Sequence, residues 1–157
     1  MATRTTYGNT GTKTSRGAAI VRDTTHYSEG PGPDIMDAAT LKGDDVVNSA
    51  GDDLGNIEAI MLDVGSGRIA YAVLSFGGVL GMGDKLFAIP WSALTMDARE
   101  KRFILDVAKD RLEAAPGFDK DHWPAMADRT WATEIHTYYD VTPYWDERDD
   151  PLSASSG

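Results

Sequence analysis

A chain of 157 residues with a formal net charge of −10 fits one domain and offers little to a nucleic-acid backbone or an anionic membrane, both of which select clustered Lys and Arg. It has no cysteine, which excludes disulfides, thiolate metal sites and cysteine nucleophiles. The charge is uneven: residues 1–36 carry four basic and three acidic groups, and the remainder eleven and twenty-two. No uninterrupted apolar run approaches the roughly 20 residues of a membrane-spanning helix, and the N-terminus lacks an apolar segment of signal-peptide length. A soluble, cytoplasmic chain is expected, with no nucleic-acid partner and no direct membrane insertion.

Residues 1–36 are rich in Thr, Gly, Ser and Arg, and only Ala18-Ala19-Ile20-Val21 could pack before Gly30-Pro31-Gly32-Pro33 interrupts regular structure. Such a segment buries too little apolar surface to offset its ordering entropy, so a mostly disordered arm is expected. Residues 37–42 read as one helical turn, stopped by Gly43. A β pattern follows. Residues 45–48 form a short strand, 50–55 are dense in turn formers, and 56–64 form a second strand. There Ile57, Ala59 and Met61 fall on one face and Ile60 and Leu62 on the other. Gly65-Ser66-Gly67 closes a tight hairpin into a third strand, 68–76.

That third strand is apolar on both faces: Ile69, Tyr71 and Val73 point one way, and Ala70, Ala72, Leu74 and Phe76 the other. Hairpin spacing implies antiparallel neighbours, so one face fills a core and the other requires a cover from the C-terminal segment or from a second subunit. Further strands are expected at 84–90, 94–97 and 102–107. Six short strands at close, even spacing favour a small closed barrel over a sandwich. Beyond them, 108–115 reads as a short helix ended by Pro116-Gly117. Residues 118–124 form a loop, and Asp128 is placed to cap a helix over 129–139. Trp131, Ile135, Tyr138 and Tyr139 share one face of that helix. Pro143-Tyr144-Trp145 adds two rings before an acidic, then Ser-rich, frayed tail.

The blocks Gly51-Asp52-Asp53-Leu54-Gly55-Asn56-Ile57-Glu58, 62–78 and Lys85-Leu86-Phe87-Ala88-Ile89-Pro90-Trp91 resemble the PRC-barrel domain. That small β-barrel occurs in the photosynthetic reaction-centre H subunit, in the C-terminal half of a ribosome-maturation factor and in many stand-alone bacterial proteins. The resemblance spans 37–115, and the segment 115–124 with the helix behind it is similar to the stand-alone bacterial group. The resulting expectation is a mainly β fold, a small antiparallel six-stranded β-barrel with a helical, aromatic-rich C-terminal extension. The chain then divides into an arm (1–36), the barrel (37–115), an extension packed on the barrel or on a partner subunit (116–146) and a frayed tail (147–157). The resemblance implies a non-enzymatic adaptor or assembly role.

The residues themselves name no reaction. In the Gly-rich loop after the third strand, Gly78 and Gly83 have phosphate-loop spacing, but Asp84 stands where a Lys is required and no helix follows. The loop reads either as a plain connection or as a contact loop carrying Val79, Leu80 and Met82. Ser75 lacks the first glycine of a nucleophile elbow. His26, His122 and His136 form no close metal motif and read as structural or solvated. Asp44-Asp45 and Asp52-Asp53 read as turn carboxylates, since no twelve-residue calcium loop fits them. A barrel of this strand count is filled by side chains, so no cofactor is expected.

The aromatic tail is the more informative feature: Trp123, Trp131, Tyr138, Tyr139, Tyr144 and Trp145 could each remove roughly 150–250 Å² from water. Two functions are weighed. The first is a non-catalytic interaction module, a homodimer, linked to stress response or to assembly of a larger complex. Its contacts are expected at Val79, Leu80, Met82, Trp123, Trp131, Tyr138, Tyr139 and Trp145. The alternative is a metal-dependent or enzymatic accessory protein using Asp119, Asp121 and His122.

Overall fold

The computed structural model describes residues 17–21, 35–77 and 84–146. Within the N-terminal arm, the one stretch with packing potential forms β1 (Ala19–Val21). The helical turn before the barrel is α1 (Ala38–Leu41): Asp37 accepts from the Ala39 amide at 3.0 Å, and Gly43 leaves the turn at φ +90°. The strands follow as β2 (Asp45–Val47), β3 (Asp53–Asp63), β4 (Arg68–Gly77), β5 (Asp84–Pro90), β6 (Leu94–Asp97) and β7 (Arg102–Leu105). Two helices close the chain, α2 (Lys109–Glu113) and α3 (Arg129–Tyr138).

The architecture corrects the expectation of a closed, six-stranded antiparallel barrel. Among the described residues there are seven strands in one mixed sheet, ordered β1-β6-β7-β2-β3-β4-β5, and the order does not close on itself. Two pairings are parallel, β1 with β6 and β2 with β7. Hairpin spacing specifies only the local antiparallel pairs, β2–β3, β3–β4, β4–β5 and β6–β7. After β5, the 3-10 turn Trp91–Ala93 redirects the chain, and the β6–β7 hairpin lies against β2 so that Val46 faces Phe103. At the far end, β5 is met by the post-α2 segment: Leu86 and Phe118 exchange both backbone hydrogen bonds at 2.8 Å.

The β3–β4 hairpin forms as its turn chemistry dictates. The Asp63 carboxylate accepts from the Gly65 and Ser66 amides at 3.1 and 3.3 Å. Register shifts at Ile57/Ala59 and Met61/Leu62 change which β3 side chains share a face. Ile57 and Ile60 stand opposite Leu74 and Ala72, whereas Ala59 and Met61 stand opposite Val73 and Tyr71. Unbroken alternation would have grouped Ile57 with Ala59 and Met61. Gly55 is required where β3 crosses the Ser75 backbone: at φ +114°, a β-carbon there would sit 2.0 Å from the Ser75 carbonyl oxygen.

The core lies inside the curled sheet. Val46, Leu54, Leu74, Phe87, Phe103 and Leu105 are all fully buried. Trp91 meets Phe103 edge-on at 5.8 Å, and α2 and the turn after it add Leu112 and Ala115 to the same core.

Candidate interaction site

Strand β4 positions the site because both of its faces are covered. Side chains alternate along a strand, and directly opposed residues share a face. Pairing with β5 therefore puts Ala72 beside Ile89 and Leu74 beside Phe87 on the inner face. Tyr71 beside Pro90 and Val73 beside Ala88 lie on the outer one. The run from Tyr71 to Ser75 is buried throughout, as is the run from Leu86 to Pro90. The outer face is covered by the chain's own C-terminal segment.

That cover is built from rings around Tyr71. Trp131 of α3 meets it edge-on at 5.5 Å, His136 at 5.6 Å and Tyr144 at 6.1 Å. Helix α3 starts where Asp128 accepts from the Thr130 amide at 2.9 Å, and it presents Ala132, Ile135 and His136 as its buried residues. Asp140, at φ +60°, takes the chain out of the helix in the left-handed region. The 3-10 turn Tyr144–Asp146 then folds back, with Trp145 at 5.3 Å from His136 and the Arg129 guanidinium 4.2 Å above the Trp145 ring. Two clamps hold the segment. Arg68 Nη1 donates to the Tyr144 carbonyl at 2.7 Å. Arg111 and Tyr138 exchange hydrogen bonds, each side chain donating to the other residue's carbonyl, with the guanidinium over the phenol ring.

Burial sets the electrostatics. It pushes the Tyr71 and Tyr139 phenols well above their ordinary range, and neither hydroxyl has a hydrogen-bond partner among the described residues. Tyr144 is raised by burial and by the Asp63 carboxylate. Burial holds His136 below the ordinary histidine value, against the Ala132 carbonyl and Asp146, which act the other way.

Of the residues expected to make contacts, Trp131 packs on Tyr71, Trp145 on His136 and Arg129, and Tyr138 on Tyr139 and Arg111, all within one chain. Trp123 stands apart at 41% exposure, stacked at a tilt on Phe118 5.1 Å away. Val79, Leu80 and Met82 lie outside the described residues. Two features go beyond the sequence reading, which leaves His136 as structural or solvated and does not place Leu62 and Val64 at the surface. His136 joins the buried stripe of α3, one turn after Ala132 and next to Ile135, positions that carried the signal. Leu62 and Val64 are 55% and 85% exposed at the end of the β3–β4 hairpin, and the second register shift puts Leu62 opposite Ile69.

The sequence was also compared with known families. The model of the PRC-barrel domain matches residues 33–112, just over half of the chain. The chain belongs to the PRC-barrel family. No curated protein matches it. The family match takes in every strand from β2 to β7 and ends inside α2, so the aromatic cover on this PRC-barrel is an addition beyond the matched domain.

The polar residues of the alternative reading, Asp119, Asp121 and His122, form a turn beyond the matched domain. His122 Nδ1 lies 2.7 Å from Asp119 Oδ1, with both side chains largely exposed. The same carboxylate oxygen accepts from the Asp121 amide at 3.1 Å. Asp119 is held below its ordinary value, first by the His122 hydrogen bond. No group of three or more His, Asp or Glu side chains is placed to hold a metal among the described residues. No helix of the described residues is long and apolar enough to cross a membrane.

Proposed function

We propose that this PRC-barrel is a non-catalytic interaction or assembly module that works as a cytoplasmic homodimer, in stress response or in building a larger complex. The observation that supports this reading is an outer apolar strip on β3 and β4 that runs past its own cover. Tyr71 and Val73 lie beneath the tail, Met61 and Ile69 are half-buried, and Leu62 and Val64 reach solvent. Two copies meeting symmetrically on this strip would remove both exposed ends from water. The tail rings are engaged within one chain, so the strip and Trp123 are the described surfaces left for a partner, and Val79, Leu80 and Met82 of the Gly-rich loop are expected to add contacts.

Light scattering on the purified full chain tests it. The expected mass is that of a dimer, and Leu62→Ser with Val64→Ser is expected to give a monomer with unchanged far-UV circular dichroism. Each copy carries −10, so the dimer should tighten as salt rises. A monomer at every concentration and salt level would end the homodimer reading. The loop is tested separately by Leu80→Ser and Met82→Ser in partner capture by in-cell crosslinking; unchanged capture removes the loop from the interface.

A further inference from the structure

His136 is the one histidine of the described chain that is fully buried, at 1% exposure. Its Nδ1 lies 2.7 Å from the Ala132 carbonyl oxygen. A carbonyl only accepts, so that nitrogen carries the proton of the neutral ring and Nε2 keeps its lone pair. The groups facing the imidazole come from three elements. Strand β4 contributes the Tyr71 ring, and the 3-10 turn contributes Tyr144, Trp145 and the Asp146 carboxylate. Its own helix contributes Arg129, a cation already seated over Trp145. Behind Tyr144 stand Asp63 and Arg68, one bearing on its phenol and the other bonded to its carbonyl.

The surroundings are mostly rings, and the anion that favours an imidazolium, Asp146, is exposed and screened by water. A second proton would charge a ring that has lost its hydration, at the seam where α3, the 3-10 turn and β4 meet. The fully buried rings of Phe87 and Phe103 pair with Phe76 and Trp91, not with the rings of this seam. The α2–α3 connection, 116–128, is largely exposed and is pinned to the sheet at Phe118.

We propose that the aromatic tail is an acid-released latch, in which neutral His136 seats α3 and the Tyr144–Asp146 turn on β4 and its protonation lets them lift while the strands stay paired. The sign follows from burial. The seated ring has the lower proton affinity, so the opened tail binds more protons. Seating is complete above the ordinary histidine value of about 6.5 and weakens as pH falls below it toward the lower value of the seated ring. One proton shifts the opening equilibrium by up to tenfold per pH unit inside that window. The latch is independent of the dimer reading, since a monomer would show it equally.

Amide hydrogen exchange of the full chain at pH 7.5 and 5.5, corrected for intrinsic exchange, tests the latch. Amides of α3 are expected to lose protection several-fold relative to those of β3 and β7. An unchanged α3, or a parallel loss in α3 and the strands, overturns the proposal. A nuclear magnetic resonance titration of the His136 ring should give a midpoint below about 6.5, and a midpoint at or above that value overturns it. His136→Asn keeps an N–H donor for the Ala132 carbonyl but cannot titrate, so it should flatten the pH response of α3. A response like that of the wild type overturns the proposal. If that variant does not fold, the titration of the native chain still decides.

Discussion

The two faces of β4 are buried to the same extent by different chemistry. The inner face meets strands of the same domain, and its contacts are aliphatic and phenylalanine carbon: Leu74 against Phe87 and Ile57, Ala72 against Ile89 and Ile60. The outer face meets a segment added after the matched domain, and its contacts are rings with polar tips: Tyr71, Trp131, His136 and Tyr144. An all-carbon face has one good packing and no response to solvent conditions. A face of amphipathic rings is nearly as dry but keeps groups that can titrate or find water. One strand therefore carries a permanent core on one side and a reversible cover on the other.

Cutting the inner face should have the largest effect. Leu74→Ala is expected to destabilise the whole domain by roughly 2–5 kcal/mol, read as a lower denaturation midpoint with an unchanged slope. Trp131→Ala, on the outer face, should cost about 1–3 kcal/mol, since that ring is only half-buried. Its signature differs: α3 amides should exchange faster while β3 and β7 keep their protection. If strands and helix lose protection together, the two faces form one cooperative unit and the contrast fails. Asp128→Ala removes the cap of α3 and should cost about 1 kcal/mol, again confined to helix protection. Combining it with His136→Asn sharpens the contrast further: a loosened helix without the titrating ring should open more at every pH, with no steepening below neutrality.

Local chemistry made much of this visible in the sequence. The Asp128 cap, the Gly65-Ser66-Gly67 turn and the double-sided apolar run of β4 each rest on neighbouring residues, and each stands in the structure. What was not legible depends on distant partners. The parallel meeting of β2 with β7 follows from where the 3-10 turn after β5 sends the chain, and no pattern in Asp45–Val47 encodes it. The bulges in β3 leave its composition unchanged while reassigning Ile57 and Leu62 to different neighbours. For His136 the sequence leaves the structural and the solvated readings open, and the fold of Tyr144 and Trp145 back over it decides for the structural one.

The backbone bridge between Leu86 and Phe118 bears on how such a protein stays safe in a crowded solution. A terminal strand with free amides and carbonyls invites other chains to add on without limit, as in fibrils. Phe118 takes up the Leu86 donor and acceptor on β5, and the ring of Trp123 packs against the Phe118 side chain. Self-association by strand addition is blocked at that point of β5, which favours side-chain faces for assembly on this side of the sheet. An assembly built on faces can close at a defined number of copies, whereas one built on open strands cannot.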